Sequence, residues 1–222
     1  MNLVAPVLVP DCGVGSETAG GLMRGWLISA VAVLGAILSA QDAGTSGSLE
    51  RQFSAGGRVK MDLVAGDYSI IGSPENRVHI DWSVRDTESL SKVHTRADVR
   101  DKELTITTDG PSNKGLKFTI QLPKQSDLYV RLSAGDLTIE DIRGNKDVEL
   151  RAGDLRIDVG RAEDYNKVDA SVWAGDLNAS AFQVSKEGLF RSFDWSGKGQ
   201  YRLHAHLMAG DLYLYSKTAA VR

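Results

Sequence analysis

Two stretches of the chain carry one phrase 18 residues apart: Leu132-Ser133-Ala134-Gly135-Asp136-Leu137-Thr138-Ile139 and Leu150-Arg151-Ala152-Gly153-Asp154-Leu155-Arg156-Ile157. The tripeptide Ala-Gly-Asp occurs five times in all, the other copies being Ala65-Gly66-Asp67, Ala174-Gly175-Asp176 and Ala209-Gly210-Asp211. An apolar residue follows each Asp: Tyr68, Leu137, Leu155, Leu177 or Leu212. Two positions before each Ala stands Leu63, Leu132, Leu150, Val172 or Leu207. Alternate side chains of a strand point to opposite faces, so these residues and the Ala share a side. The next apolar residue comes three positions after the Ala, and the alternation skips a beat at Gly-Asp. A skipped beat in a strand predicts a bulge or corner that turns the chain and keeps its apolar side inward. Glycine reaches positive φ cheaply, alanine is small enough to pack beneath the corner, and Asp can bond nearby backbone N–H groups.

Each copy therefore reads as strand, corner, strand. Units of this kind bury their apolar faces only by stacking. The glycine spacings of 69, 18, 22 and 35 residues suggest a unit of about 20, with a decayed corner or an insertion in the longer gaps. Elsewhere the chain alternates apolar and polar residues, as in Val78, Ile80, Trp82, Val84 and in Leu116, Phe118, Ile120, Leu122. Such half-apolar runs imply strands with one wet face. No helical period of useful length follows Ala40. The predicted fold is an all-β, single-domain β-solenoid over residues 58–216, with a short tail at 217–222.

The N-terminal part is different. Residues 26–40 form an uncharged, largely apolar run behind Arg24, ending in small residues. This predicts a secretory signal helix cleaved after Ala40, since the run is shorter than the roughly 20 residues of a membrane span. Asp11 and Glu17 do not suit a positive signal start, so Met23 is the expected true start. An uncleaved N-terminal anchor is the other reading of residues 1–40. Cleavage removes Cys12, the one cysteine, and leaves no disulfide, thiol or cysteine-ligated metal in the mature chain. Residues 41–57, rich in Gly and Ser, read as a flexible leader.

The net charge of −3 and the pI near 5.8 give no footprint for nucleic acid. No nucleophile elbow, phosphate loop, metalloprotease helix or dinucleotide fingerprint is present, and no cofactor is implied. Solenoids can host sugar-cleaving carboxylate pairs, yet no spacing singles one out, so a carbohydrate-active enzyme is the least favoured reading.

Three groups of residues invite a functional reading. If successive units stack, Asp136, Asp154 and Asp176 form a column about 5 Å apart that could hold a hard cation such as calcium. Each phrase brings one oxygen ligand only, which favours an Asp that bonds backbone N–H groups at its own corner. His204 and His206 share one strand face and could begin a zinc site, but no third ligand follows from spacing, and a solvated face is the plainer reading. Trp195 and Tyr201 flank a glycine-rich turn and could offer a platform for a sugar ring, or cover the last coils.

The order over residues 118–123, 132–139 and 150–157, with the later corners at Ala174 and Ala209, resembles the bacterial putative-adhesin family of β-helical domains. The resemblance covers residues 58–215. It implies a β-helical fold and a role at the cell envelope, and it supplies no catalytic residue. The functional expectation is an exported, non-catalytic, adhesin-like binding module, periplasmic, surface-bound or extracellular, whose partner is an envelope or extracellular polymer or protein. The alternative is a periplasmic or wall-associated scaffold, or an envelope-stress partner protein, that works with envelope partners or self-associates through its end coils.

Overall fold

A computed structural model describes residues 45–85, 87–111 and 115–217. The expected signal segment, its cleavage after Ala40 and the start at Met23 lie outside these residues, as does the tail beyond Lys217.

The chain is all-β. In order its strands are β1 (Ser46–Gln52), β2 (Gly57–Leu63), β3 (Asp67–Ser73) and β4 (Arg77–Ser83). One helical turn, α1 (Thr87–Leu90), leads to β5 (His94–Arg100), β6 (Glu103–Asp109) and β7 (Lys117–Pro123). Then come β8 (Ser126–Ala134), β9 (Leu137–Glu140), β10 (Lys146–Ala152), β11 (Leu155–Asp158), β12 (Tyr165–Ala174) and β13 (Leu177–Ala179). The last are β14 (Val184–Lys186), β15 (Leu189–Ser196), β16 (Tyr201–Ala209) and β17 (Leu212–Tyr215).

The strands form two mixed sheets. The first runs β1-β4-β7-β3-β9-β11-β17-β13-β14, and the second runs β15-β12-β16-β10-β8-β2-β6-β5. Each Ala-Gly-Asp corner carries the chain from the second sheet to the first: β2 to β3, β8 to β9, β10 to β11, β12 to β13 and β16 to β17. A sixth unit, β6 to β7, occupies the long gap, and residues 109–116 between its strands carry no Ala-Gly-Asp. Matching strands of neighbouring units pair in parallel and in register, so that Leu132, Leu150, Leu207 and Val172 form one row. Leu137, Leu155, Leu212 and Leu177 form the facing row of the first sheet. The inward residues of both sheets make one core cluster.

A solenoid whose coils stack in chain order is not what the sheets display. Numbered along the chain, the six units stack in the order 2, 1, 3, 4, 6, 5. At one end β4 and β5 run back antiparallel, and the second unit slots between them and the first. At the other end β14 and β15 run back antiparallel, and the last unit slots inside the fifth. The antiparallel strands are what make both sheets mixed. Size fits this nesting: the small Ala205 and Ala170 sit in one row, which the ring of Phe193 on β15 then completes.

Part of the expected flexible leader is a strand. β1 pairs antiparallel with β4 from Ser46–Ser83 to Gln52–Arg77, and Phe53 just beyond it is buried. Gly47 lies flat against the Trp82 indole, where any Cβ would collide with the ring. The glycine that suggested a loose linker is there for a close approach.

The corners show why glycine recurs. Gly135, Gly153, Gly175 and Gly210 have φ of 114°, 124°, 135° and 128°, a region L side chains avoid. A Cβ on Gly153 would stand 2.2 Å from the Gly135 carbonyl oxygen, and one on Gly210 would stand 2.0 Å from that of Gly153. Glycine thus meets two demands, a dihedral and a contact between coils. The alanines do not all pack beneath the corner as expected: Ala65, Ala134 and Ala174 are half-buried, and Ala152 and Ala209 are exposed.

Candidate functional site

The Asp column exists, with a different order and different bonds from those expected. Asp211 stands between Asp154 and Asp176, following the nested stack. Four of the five carboxylates accept the backbone N–H of the Asp in the next unit rather than one at their own corner, and Asp176, the last, accepts that of Gly188. Asp67 Oδ1 accepts from Asp136, Asp136 Oδ1 from Asp154 at 3.1 Å, Asp154 Oδ1 from Asp211 at 3.3 Å and Asp211 Oδ1 from Asp176 at 3.0 Å. Beside it runs a backbone ladder in which Gly66, Gly135, Gly153 and Gly210 donate to Ala134, Ala152, Ala209 and Ala174. Corner glycine and corner Asp together knit one unit to the next.

A buried lysine was missed from the sequence. Lys146 lies in the inward row between Leu128 and Leu203, and strand parity alone would have flagged it. Its Nζ donates to the Ile142 carbonyl at 2.8 Å and to the Tyr165 hydroxyl at 2.7 Å, so the stem fills the core while the head reaches the coil end. Burial lowers its pKa to about 8, opposed by the charges of Asp158 and Asp127. Asp158 is itself buried, and its Oδ1 accepts the N–H groups of Gly160 and Lys217.

The outward face of the second sheet gathers the polar side chains. Parallel register sets Lys60, Tyr129, Asp147, His204 and Asp169 in one row, and Asp62, Arg131, Glu149, His206 and Ser171 in the next. Arg131 is central. Its guanidinium stacks 3.6 Å from the centre of the Tyr129 ring. Its Nη1 lies 2.9 Å from Asp147 Oδ1 and its Nη2 3.1 Å from Glu149 Oε1. Open clefts of about 400 and 600 Å³ on this face share Asn145 and Asp147, and a third of about 520 Å³ reaches Arg131 and Glu149. The first two meet at Asn145 and Asp147 as a shallow trough across the strands, lined by charged side chains such as Lys60, Asp147, Lys167 and Arg202.

His204 and His206 lie on this face, as strand parity predicted, both half-buried. His206 Nδ1 is 2.8 Å from Ser171 Oγ. The third and fourth polar neighbours that spacing did not supply come from β10, whose Asp147 and Glu149 stand opposite His204 and His206. That register depends on which strands neighbour each other in the nested stack, and it is absent from any local pattern.

Trp195 and Tyr201 are half-buried and packed against the core. Trp195 tilts on Phe182 at 5.1 Å, and Tyr201 meets Tyr165 edge-on at 6.1 Å. A second aromatic pair is more open: Trp173 and Phe190 meet edge-on at 5.6 Å and are 53% and 69% exposed, with Leu189 beside them. Trp173 falls on the outward parity between Val172 and Ala174, a signal available in the sequence.

No family model and no curated protein matches the chain. Among solved structures, a putative cell adhesion protein from Clostridium sporogenes is similar at a TM-score of 0.51 and 16% identity, over 78% of this chain and all of that one. A putative adhesin from Parabacteroides merdae is more distant, with a TM-score of 0.24 and 13% identity, over 51% of this chain and 58% of that one. At such identity the first likeness concerns the fold. The chain shares its two-sheet, all-β architecture with that structure.

Proposed function

We propose that this protein is an exported, non-catalytic binding module of the bacterial cell envelope, adhesin-like in use, which engages a polar polymer along the trough of its second sheet. The observation that carries the reading is the in-register polar face around Tyr129 and Arg131. Regular strands fix its side chains, an aromatic ring and charges of both signs are available, and the trough is long and open, as suits an extended ligand. The fold shared with a protein named for cell adhesion agrees with this use. The nested stack is read here as a variant of the solenoid, whose rigid outer face serves as the contact surface. Trp195 and Tyr201 are assigned to covering the last coils rather than to the ligand.

Two measurements test the reading. Protease shaving of intact cells carrying an epitope tag after Arg222, beside a periplasmic marker, is expected to remove the tag while the marker survives. A glycan and envelope-polymer binding screen is expected to give hits that Tyr129→Ala weakens. Protection of the tag until the envelope is opened sinks surface adhesion.

The exposed Trp173–Phe190 pair favours a second reading, a scaffold that associates near its β14–β15 end. Concentration-dependent sedimentation that Trp173→Ser abolishes would establish it.

A further inference from the structure

Asp147, Glu149 and His204 each bring a ligand atom within 4.8 Å of the other two. They stand on two adjacent parallel strands, β10 and β16, with Asp147 directly opposite His204. β10 is held on its other side by β8 in the same register, so the backbone beneath the group is fixed at the centre of the sheet. From the structure we infer that these three residues bind a divalent transition-metal ion, zinc being the best match. The inference goes beyond the proposed polymer binding and does not depend on it.

Three further observations support the assignment. Asp147 Oδ1 is withdrawn from water yet has no hydrogen-bond donor. The nearby Arg131 Nη1 directs its hydrogens elsewhere, to the carbonyls of Val130 at 3.0 Å and Asp147 at 3.3 Å. The carboxylate oxygen is therefore balanced in charge and left without a directed partner, a position that a Lewis acid fills. Second, His204 Nδ1 faces Asp169 Oδ2 on β12 at 3.8 Å. The contact is in ion-pair range and longer than a hydrogen bond, so Asp169 adds negative charge beside the imidazole, which favours a bound cation. Third, the donor set is one imidazole and two carboxylates. Three protein ligands with an open fourth position suit zinc, whereas calcium and magnesium prefer oxygen alone.

Arg131 defines the competition. Its guanidinium spans Asp147 and Glu149, and a dication that takes their oxygens must release it. The Tyr129 ring stacks on the same guanidinium, a contact that does not involve the carboxylates. The guanidinium holds the two carboxylates convergent, and the ion takes over that role.

The test is calorimetry on the full chain after chelator treatment, titrated with zinc, with the visible absorption of bound cobalt(II) as a second readout. The wild-type protein is expected to bind one ion at the sheet face. His204→Ala and the isosteric Asp147→Asn are expected to weaken binding at least about tenfold and to remove the cobalt band, with Asp169→Asn intermediate. Arg131→Ala is expected to tighten it. All four positions are on the outer face, and thermal unfolding without metal verifies that each variant folds. Absence of heat at millimolar zinc, or equal binding by wild type, His204→Ala and Asp147→Asn, overturns the inference. The latter result would assign the ion to another part of the chain, such as Cys12.

Discussion

Asp154 Oδ1 accepts the backbone N–H of Asp211 at 3.3 Å, although 57 positions separate the two residues in the chain. The same carboxylate, through Oδ2, holds the Arg156 guanidinium at 2.8 Å. One side chain thus ties the fourth unit to the sixth. Asp154→Ala is expected to destabilise the protein by about 1–2 kcal/mol, the usual cost of leaving a partly buried N–H without its acceptor. Asp67→Ala, whose bond to Asp136 is long at 3.5 Å, is expected to cost less. Urea unfolding of the two variants checks the order.

The glycine column gives a sharper contrast. Gly153→Ala places a methyl group against the Gly135 carbonyl at a φ that alanine rarely adopts, and an expected loss of roughly 3–5 kcal/mol follows from strain plus overlap. Gly66 has no such φ, and its nearest obstacle is Leu116 at 3.1 Å. Gly66→Ala is expected to stay within about 1 kcal/mol of the wild type. Thermal unfolding separates them, and equal effects would mean that the contact between coils is not what selects glycine.

Lys146 makes stability depend on pH in alkaline solution. Burial lowers its pKa from 10.5 to about 8, so the folded protein holds this proton more weakly than the unfolded chain. The cost of burying the ammonium is fully present below pH 8. It is relieved as pH rises through 8 towards 10.5, where the unfolded chain binds more protons, and stability climbs over that window. Above pH 10 the tyrosines oppose it, because burial raises the phenols of Tyr68 and Tyr165 and the unfolded chain ionises first. The urea midpoint is expected to rise between pH 8 and 10 in the wild type and to stay flat in Lys146→Met.

Removing residues 201–222 is expected to abolish cooperative unfolding, because β16 and β17 lie between β10 and β12 and between β11 and β13. Starting the chain at Phe53 removes, of the described residues, Thr45 and the edge strand β1, and is expected to leave a folded, less stable protein. Circular dichroism and limited proteolysis read both outcomes.

The sequence made the strands, the corners and the inward rows legible because all three are local: Leu132, Ala134 and Leu137 set parity and turn within six residues. Even the positions of His204 and Lys146 follow from parity. Neighbour relations between units are not local. Nothing near Asp154 says that Asp211 comes before Asp176 in the stack, and so the true Asp ladder was hidden. The same ignorance hid Asp147 and Glu149 from His204. Glycine at position 47 misled for another reason, since its role is contact with Trp82 and composition alone cannot distinguish that from looseness.

The nested order also constrains how the chain can come together in time. A solenoid that stacks in sequence can grow from one end as its chain is delivered, each coil resting on the last. Here the unit made last fills the gap between two made earlier, so β12 and β13 have no permanent neighbour on that side until residue 215 has arrived. Closure waits for β16 and β17, and it depends on contacts of long sequence separation, which slow folding. A protein threaded across a membrane N-terminus first would therefore stay incomplete until those two strands have crossed.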